Sequence, residues 1–131
     1  MSAVDTLART LFGEARGEPT EGKVAVANVI LTRAKKGGWW GSNIEDVCLH
    51  PWQFSCWNKS DPNIHKIKRA TIADPLFHEC LIVAQLAVAG LLKDNTDGAT
   101  HYVASGVNPK WMRGLTPCMK IGAHKFFNDV P

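Results

Sequence analysis

The segment from Val24 to Ala34 most narrows what this chain can become. At about 100° per residue, Val24, Ala25, Val26, Ala27, Val29, Ile30, Leu31 and Ala34 cover nearly the whole circumference of a helix. Such a helix must be enclosed on most sides, so other elements have to wrap around it. The 131 residues suffice for one core of that kind. Its only relief is a narrow polar strip of Glu21, Asn28, Thr32 and Lys35, which either borders a cleft or meets solvent. Pro19 is well placed as the first residue of this helix, which runs to about Lys36.

A second, amphipathic helix precedes it. Ser2 can cap it, with Asp5 as the capping-box partner three residues on. Leu7, Ala8, Leu11, Phe12 and Ala15 form one apolar stripe, and Glu14 falls about 20° from Leu7, at the stripe's margin. Gly17 then stops the helix, and Pro19 keeps Glu18 out of helical geometry. A carboxylate half inside an apolar surface loses hydration, and the negative end of the helix dipole lies beside it. Both effects push Glu14 upward, as a general acid near neutral pH requires. Arg16 and the next helix start pull the other way.

Downstream, Gly37-Gly38-Trp39-Trp40-Gly41 reads as a loop, and Ser42 or Asn43 caps a short helix through Leu49. His50 to Pro62 is aromatic, polar and irregular. A helix is predicted over Ile64 to Ala73, and Asp74-Pro75 opens a long one ending near Leu92. After the Asn95-Thr96-Asp97-Gly98 turn, Ala99–Ala104 and Met119–Phe127 read as two strands, joined by a loop containing Asn108-Pro109-Lys110-Trp111. The predicted class is α+β: a mainly helical domain with a small late antiparallel β element. No repeat or linker divides it, so residues 1–131 are read as one domain.

Composition narrows the partners. The net charge of +3 suits an anionic polymer such as a bacterial wall, but the basic residues are scattered, and no nucleic acid is expected. The apolar run Leu81 to Leu92 is interrupted by Gln85 and too short to span a bilayer, so no membrane insertion is expected. The amino terminus lacks a basic region followed by an apolar one, which points to synthesis in a cytosol. Cys48, Cys56, Cys80 and Cys118 are then expected as free, mostly buried thiols. The set Cys48, His50, Cys56 and His65 has none of the usual zinc spacings; no metal, no other cofactor and a monomer are expected.

Five blocks carry a resemblance. Leu11-Phe12-Gly13-Glu14-Ala15-Arg16-Gly17-Glu18 and Gly22 through Arg33 come first. Gln53-Phe54-Ser55-Cys56-Trp57, Gly98-Ala99-Thr100-His101-Tyr102 and Ile121-Gly122-Ala123-His124-Lys125-Phe126-Phe127 follow. In this order they resemble the SleB/CwlJ-type cell wall hydrolases, which include spore cortex-lytic enzymes and phage lysins. The resemblance implies a lysozyme-like fold acting on the glycan strands of bacterial peptidoglycan, between N-acetylmuramic acid and N-acetylglucosamine. It carries the catalytic acid/base onto Glu14 and suggests a lytic transglycosylase, in which the muramoyl 6-hydroxyl completes the reaction. It also sets Gln53, Ser55, His101 and Tyr102 beside a groove.

Trp39 and Trp40, flanked by glycines, offer planes on which sugar C–H faces can pack. Asn28 and Glu18 complete the candidate substrate contacts. Glu18 has two other readings: a second catalytic carboxylate, or an anion at the second helix's amino terminus paired with Arg16. Two positions depart from the family pattern: Val103 stands where many relatives have histidine, and Phe127 where tyrosine is common. The alternatives are muramidase-type hydrolysis of the same bond, a wall-binding module, or a zinc amidase drawing on His50, His65, His78, His101 or His124. A phage lysin held in the host cytoplasm until the membrane opens fits the terminus.

Overall fold

The computed structural model describes residues 1–51 and 53–131. Its helices are α1 (Ala3–Ala15), α2 (Thr20–Lys36), α3 (Ile44–Leu49), α4 (Asn63–Arg69) and α5 (Pro75–Val88). The strands β1 (His101–Ala104), β2 (Met119–Ile121) and β3 (His124–Phe127) follow, and single 3-10 turns lie at Gly38–Trp40, Ser55–Trp57 and Lys110–Met112. The arrangement is the predicted α+β, mainly helical with a small antiparallel sheet.

The largely apolar helix α2 is central. α2 touches α1, α3, α5, β1 and β2, and Ala25, Val26, Ala27, Val29 and Ile30 have no exposure at all. Each fully buried Val or Ile is worth about 1.5–3 kcal/mol, so wrapping this helix is a large part of what drives folding. α1 lies along α5, with its whole stripe buried and Phe12 edge-on to Phe77 at 5.7 Å. Lys23 is buried; its ammonium donates to the Glu18 carbonyl in the α1–α2 turn and pairs with Glu79 of α5 at 3.2 Å.

Three caps lie where the sequence places them. The Ser2 hydroxyl accepts from the Asp5 N–H at 3.1 Å, Asn43 from Asp46 at 2.8 Å, and Asp74 from Leu76 at 2.8 Å. The capping box is only half made, because the Asp5 carboxylate turns to Arg9 at 3.1 Å instead. Pro19 is the residue before α2 rather than its first.

Other boundaries differ for identifiable reasons. α4 stops at Arg69, not Ala73, because Arg9 donates to the carbonyls of Ile67, Lys68 and Ala70 and closes that end. α5 stops at Val88, short of Leu92, where Gly90 adopts φ +74°. The predicted strand 119–127 is instead a hairpin: Gly122, at φ +57°, turns the chain, giving the order β1-β3-β2. Tyr102 pairs with Phe126, and Phe126 in turn with Met119.

Glu18 explains where the hairpin docks. Its Oε1 accepts from the Ala123 N–H at 2.9 Å and lies 3.5 Å from His124 Nδ1. A Cβ on Gly122 would approach that oxygen to 2.5 Å, so the close approach needs glycine. Glu18 is thus a clasp between the α1–α2 turn and the hairpin. It does not cap α2 or pair with Arg16, whose guanidinium donates to the Phe12 carbonyl and to Asn63 Oδ1.

The four cysteines are free thiols, three of them buried. Burial pushes Cys48 and Cys80 up to about 12, which leaves them protonated and unreactive. Among the described residues, no helix is long and apolar enough to cross a membrane.

Candidate active site

Glu14 lies in the last turn of α1, partly exposed, between the buried stripe and solvent. The Tyr102 hydroxyl, brought in by β1, donates to Glu14 Oε1 at 3.0 Å. Cys56, from the 55–57 turn, lies near enough to the same carboxyl group for its thiol to favour the ionised form. That turn is fixed to α1 because the Trp57 indole donates to the Thr10 hydroxyl at 2.9 Å. Burial raises Glu14 above its ordinary 4.5; Tyr102 and Cys56 pull it back, the Asp61 charge raises it and Arg33 lowers it. The direction is the one read from the helical wheel, but the opposing cation is Arg33 rather than Arg16. Burial and the Glu14 charge hold Tyr102 well above 10, so it remains a donor.

A hollow of about 310 Å³ is lined by Arg33, Trp39, Trp40, Gln53, His101, Tyr102 and Trp111; Glu14 is not part of that lining and is joined to it through Tyr102. Five of the predicted contact residues meet there. Trp40 and Trp111 flank the His101 ring, with centroids 5.9 and 4.9 Å away. Burial, helped by the Arg33 charge, pushes His101 down to about 4, so the ring is neutral at physiological pH. Trp39 is 68% exposed at the rim, tilted against the His50 ring at 4.9 Å. A larger and more open hollow of about 800 Å³ lies between the end of α1 and the α4–α5 connection, among Arg16, Lys66 and Arg69. It holds none of the predicted site residues, and size alone does not make it the site.

Three predicted contacts fall elsewhere. Asn28 is 3% exposed, and its amide donates to the Lys93 carbonyl and to Asn95 Oδ1, both at 3.1 Å. The middle of the polar strip therefore meets neither cleft nor solvent; it holds the segment after α5. Ser55 is exposed at the start of its turn, outside the groove lining, and Glu18 is occupied by the hairpin. Trp52, one of the five tryptophans, lies outside the described residues. Val103 and Phe127 are both core, Phe127 packing edge-on against Trp111 at 5.2 Å.

Two residues at the site carry no mark of their role in the sequence. Arg33 is 7% exposed; its Nε donates to the Thr100 carbonyl at 2.7 Å and its Nη1 to Gln53 Oε1 at 3.0 Å. A basic residue in the last turn of a helix ordinarily reads as a dipole partner, which hides such a role. Asp61 is the carboxylate whose charge reaches Glu14, and its Oδ1 accepts from the Asn63 N–H at 2.8 Å. Among the described residues, no three His, Cys, Asp or Glu side chains come together in a way that could hold a metal ion.

A protonatable carboxyl group beside an aromatic, hydrogen-bonding groove is a site of the sugar-processing kind. The chain belongs to the cell wall hydrolase family, whose profile matches residues 17–127. It is 30% identical over 128 residues to the spore cortex-lytic enzyme of Halalkalibacterium halodurans, covering 95% of this chain and 34% of that protein. To the Bacillus subtilis spore cortex-lytic enzyme it is 29% identical over 121 residues, covering 92% and 35%. The chain thus spans about a third of the length of these curated relatives. Among solved structures it is similar to the catalytic domain of the Bacillus cereus SleB protein, with TM-score 0.68 and 26% identity, covering 95% of this chain and 88% of that one. The catalytic domain of the germination-specific lytic transglycosylase SleB from Bacillus anthracis matches with the same score and identity, over 95% and 92%.

Proposed function

We propose that this domain is a peptidoglycan glycosidase that cleaves the β-1,4 bond between N-acetylmuramic acid and N-acetylglucosamine, with Glu14 as its acid and base. The observation that carries this reading is the Glu14 carboxyl group, raised by burial and held by Tyr102, which itself lines a groove of about 310 Å³. A glycosidic oxygen leaves well only if protonated as the bond breaks, and a carboxyl group kept neutral supplies that proton. Once ionised, Glu14 accepts a hydrogen bond from Tyr102, and the nearby Cys56 thiol also favours the charged form. The carboxylate can then remove the proton of the muramoyl 6-hydroxyl as that oxygen attacks the anomeric carbon. This yields a 1,6-anhydro end, the outcome of a lytic transglycosylase.

The relatives support the reading: the B. anthracis domain is that of a lytic transglycosylase, and the curated relatives are spore cortex-lytic enzymes. Mass spectrometry of muropeptides released from purified peptidoglycan is the test. Anhydro ends, each lighter by one water, support transglycosylation; reducing muramic ends would mean a muramidase, and free peptide stems with intact glycan would overturn the proposal. The setting we propose is wall breakdown in phage-induced host lysis. The net charge of +3 suits adsorption to an anionic wall. Clearing of permeabilised cells on addition of the domain checks that setting.

A further inference from the structure

We propose that Arg33 sets the specificity of the groove by fixing Gln53 as a hydrogen-bond donor, so that the site selects sugars bearing a 2-acetamido group. The inference rests on the glycosidase reading and adds a residue that determines which glycan is accepted.

A guanidinium has five N–H donors and no acceptor. Whatever faces it must therefore be an acceptor, and a glutamine amide has only one acceptor atom. With Arg33 Nη1 donating to Oε1 at 3.0 Å, the two ends of the Gln53 amide are no longer interchangeable. The NH2 end is left for the groove that Gln53 lines, and among the described residues no acceptor takes its hydrogens. Arg33 cannot swing to release the amide. It is also tied to the Thr100 carbonyl at 2.7 Å, and its guanidinium carbon lies 5.7 Å from the ring centroids of both Trp40 and Phe54.

The groove thus offers a fixed neutral donor between indole walls and an uncharged imidazole. An acetamido group matches that pattern: its carbonyl oxygen accepts, and its methyl packs on Trp40 or Trp111. A free amine at C2 is protonated near neutral pH and presents only donors at that position, which leaves the Gln53 N–H unmet there and brings a cation toward Arg33. Either the glucosamine or the muramic sugar can supply the acetamido group.

Three glycans separate the possibilities: fully N-acetylated, de-N-acetylated at glucosamine only, and de-N-acetylated at muramic acid only. The wild type is expected to lose about 10- to 100-fold in kcat/KM on one of the two deacetylated glycans, as for one unmet hydrogen bond in a sheltered site. The glycan that loses identifies the sugar in the groove. Gln53→Glu keeps the pair with Arg33 but turns an oxygen, not an NH2, toward the sugar. It is expected to lose about 10- to 100-fold on acetylated glycan and to narrow or invert the preference. Arg33→Lys cannot span the Thr100 carbonyl and Gln53 together, and should narrow the ratio too. If its thermal melt shows it unfolded, Gln53→Glu, which leaves Arg33 in place, carries the test. Equal kcat/KM on all three glycans, or an unchanged ratio in Gln53→Glu, would overturn the inference while leaving the glycosidase reading intact. No cleavage of any glycan by the wild type would instead overturn that reading.

Discussion

Gly13 offers a test in which helix propensity and packing give opposite signs. In an exposed helix interior, Gly→Ala stabilises by about 1 kcal/mol. At position 13 the added Cβ would meet Cys56 Cβ and Sγ at 2.7 Å and Ile67 Cγ2 at 3.1 Å. Ordinary contact begins at 3.4 Å, so α1 and the 55–57 turn must part by roughly 0.7 Å (3.4 − 2.7). The Cys56 Cβ is anchored to backbone and cannot rotate away. Overpacking of this kind costs about 1–3 kcal/mol. Taking the upper half of that range and subtracting the propensity gain leaves a net loss of about 1–2 kcal/mol. For a chain of this size that is a fall in Tm of roughly 3–10 °C.

The displacement falls on Cys56 and on its neighbour Glu14, whose ionised form the Cys56 thiol favours. A shift approaching 1 Å in catalytic geometry lowers turnover about 10- to 100-fold. Calorimetry and a muropeptide-release assay on Gly13→Ala are the measurements. Adding Cys56→Ala removes the Sγ contact and should restore part of the lost Tm. A Gly13→Ala domain with an unchanged or higher Tm and full activity would refute the packing argument.

Other outcomes follow from the same geometry. Tyr102→Phe removes a bond that lowers Glu14, so the alkaline limb of the kcat/KM profile should move to higher pH, with turnover reduced about 10-fold. Asp61→Asn removes a charge that raises Glu14, so the same limb should move to lower pH while activity stays within about 10-fold. A loss in Asp61→Asn equal to that of Glu14→Gln would instead make Asp61 a second catalytic carboxylate. Stability carries a further sign. Because the folded state raises Glu14 above 4.5, the carboxyl group contributes its full stability below that pH and loses it as pH rises through the folded value. Glu14→Gln, which cannot ionise, should therefore gain in Tm relative to the wild type above pH 4.5 and not below it.

What the sequence revealed was what lies close along the chain. The enclosed helix, the apolar stripe with Glu14 at its margin, and the caps at Ser2, Asn43 and Asp74 all follow from periodicities and side chains within four residues of one another. The site itself depends on longer reach. Tyr102 meets Glu14 across 88 residues, and Arg33 meets Thr100 across 67. No local pattern marks such pairs, so nothing near Arg33 or Asp61 in the chain signals its part in the site. The same blindness misplaced Asn28 and Glu18: each stood on a polar position whose partner, Asn95 or Ala123, arrives from the far end of the chain. Residues 119–127 misread for a different reason. Their β-compatible side chains run on either side of a single glycine, whose positive φ turns the strand into a hairpin.

The central claim is that the Glu14 proton breaks the glycan strand. Glu14→Gln keeps the shape of the side chain and removes the titratable proton, so release of muropeptides from purified peptidoglycan by this variant is the most direct measurement. The account expects a folded domain that still binds the wall, with release at least about 1,000-fold below wild type. Turnover by Glu14→Gln within a few-fold of the wild type would contradict it.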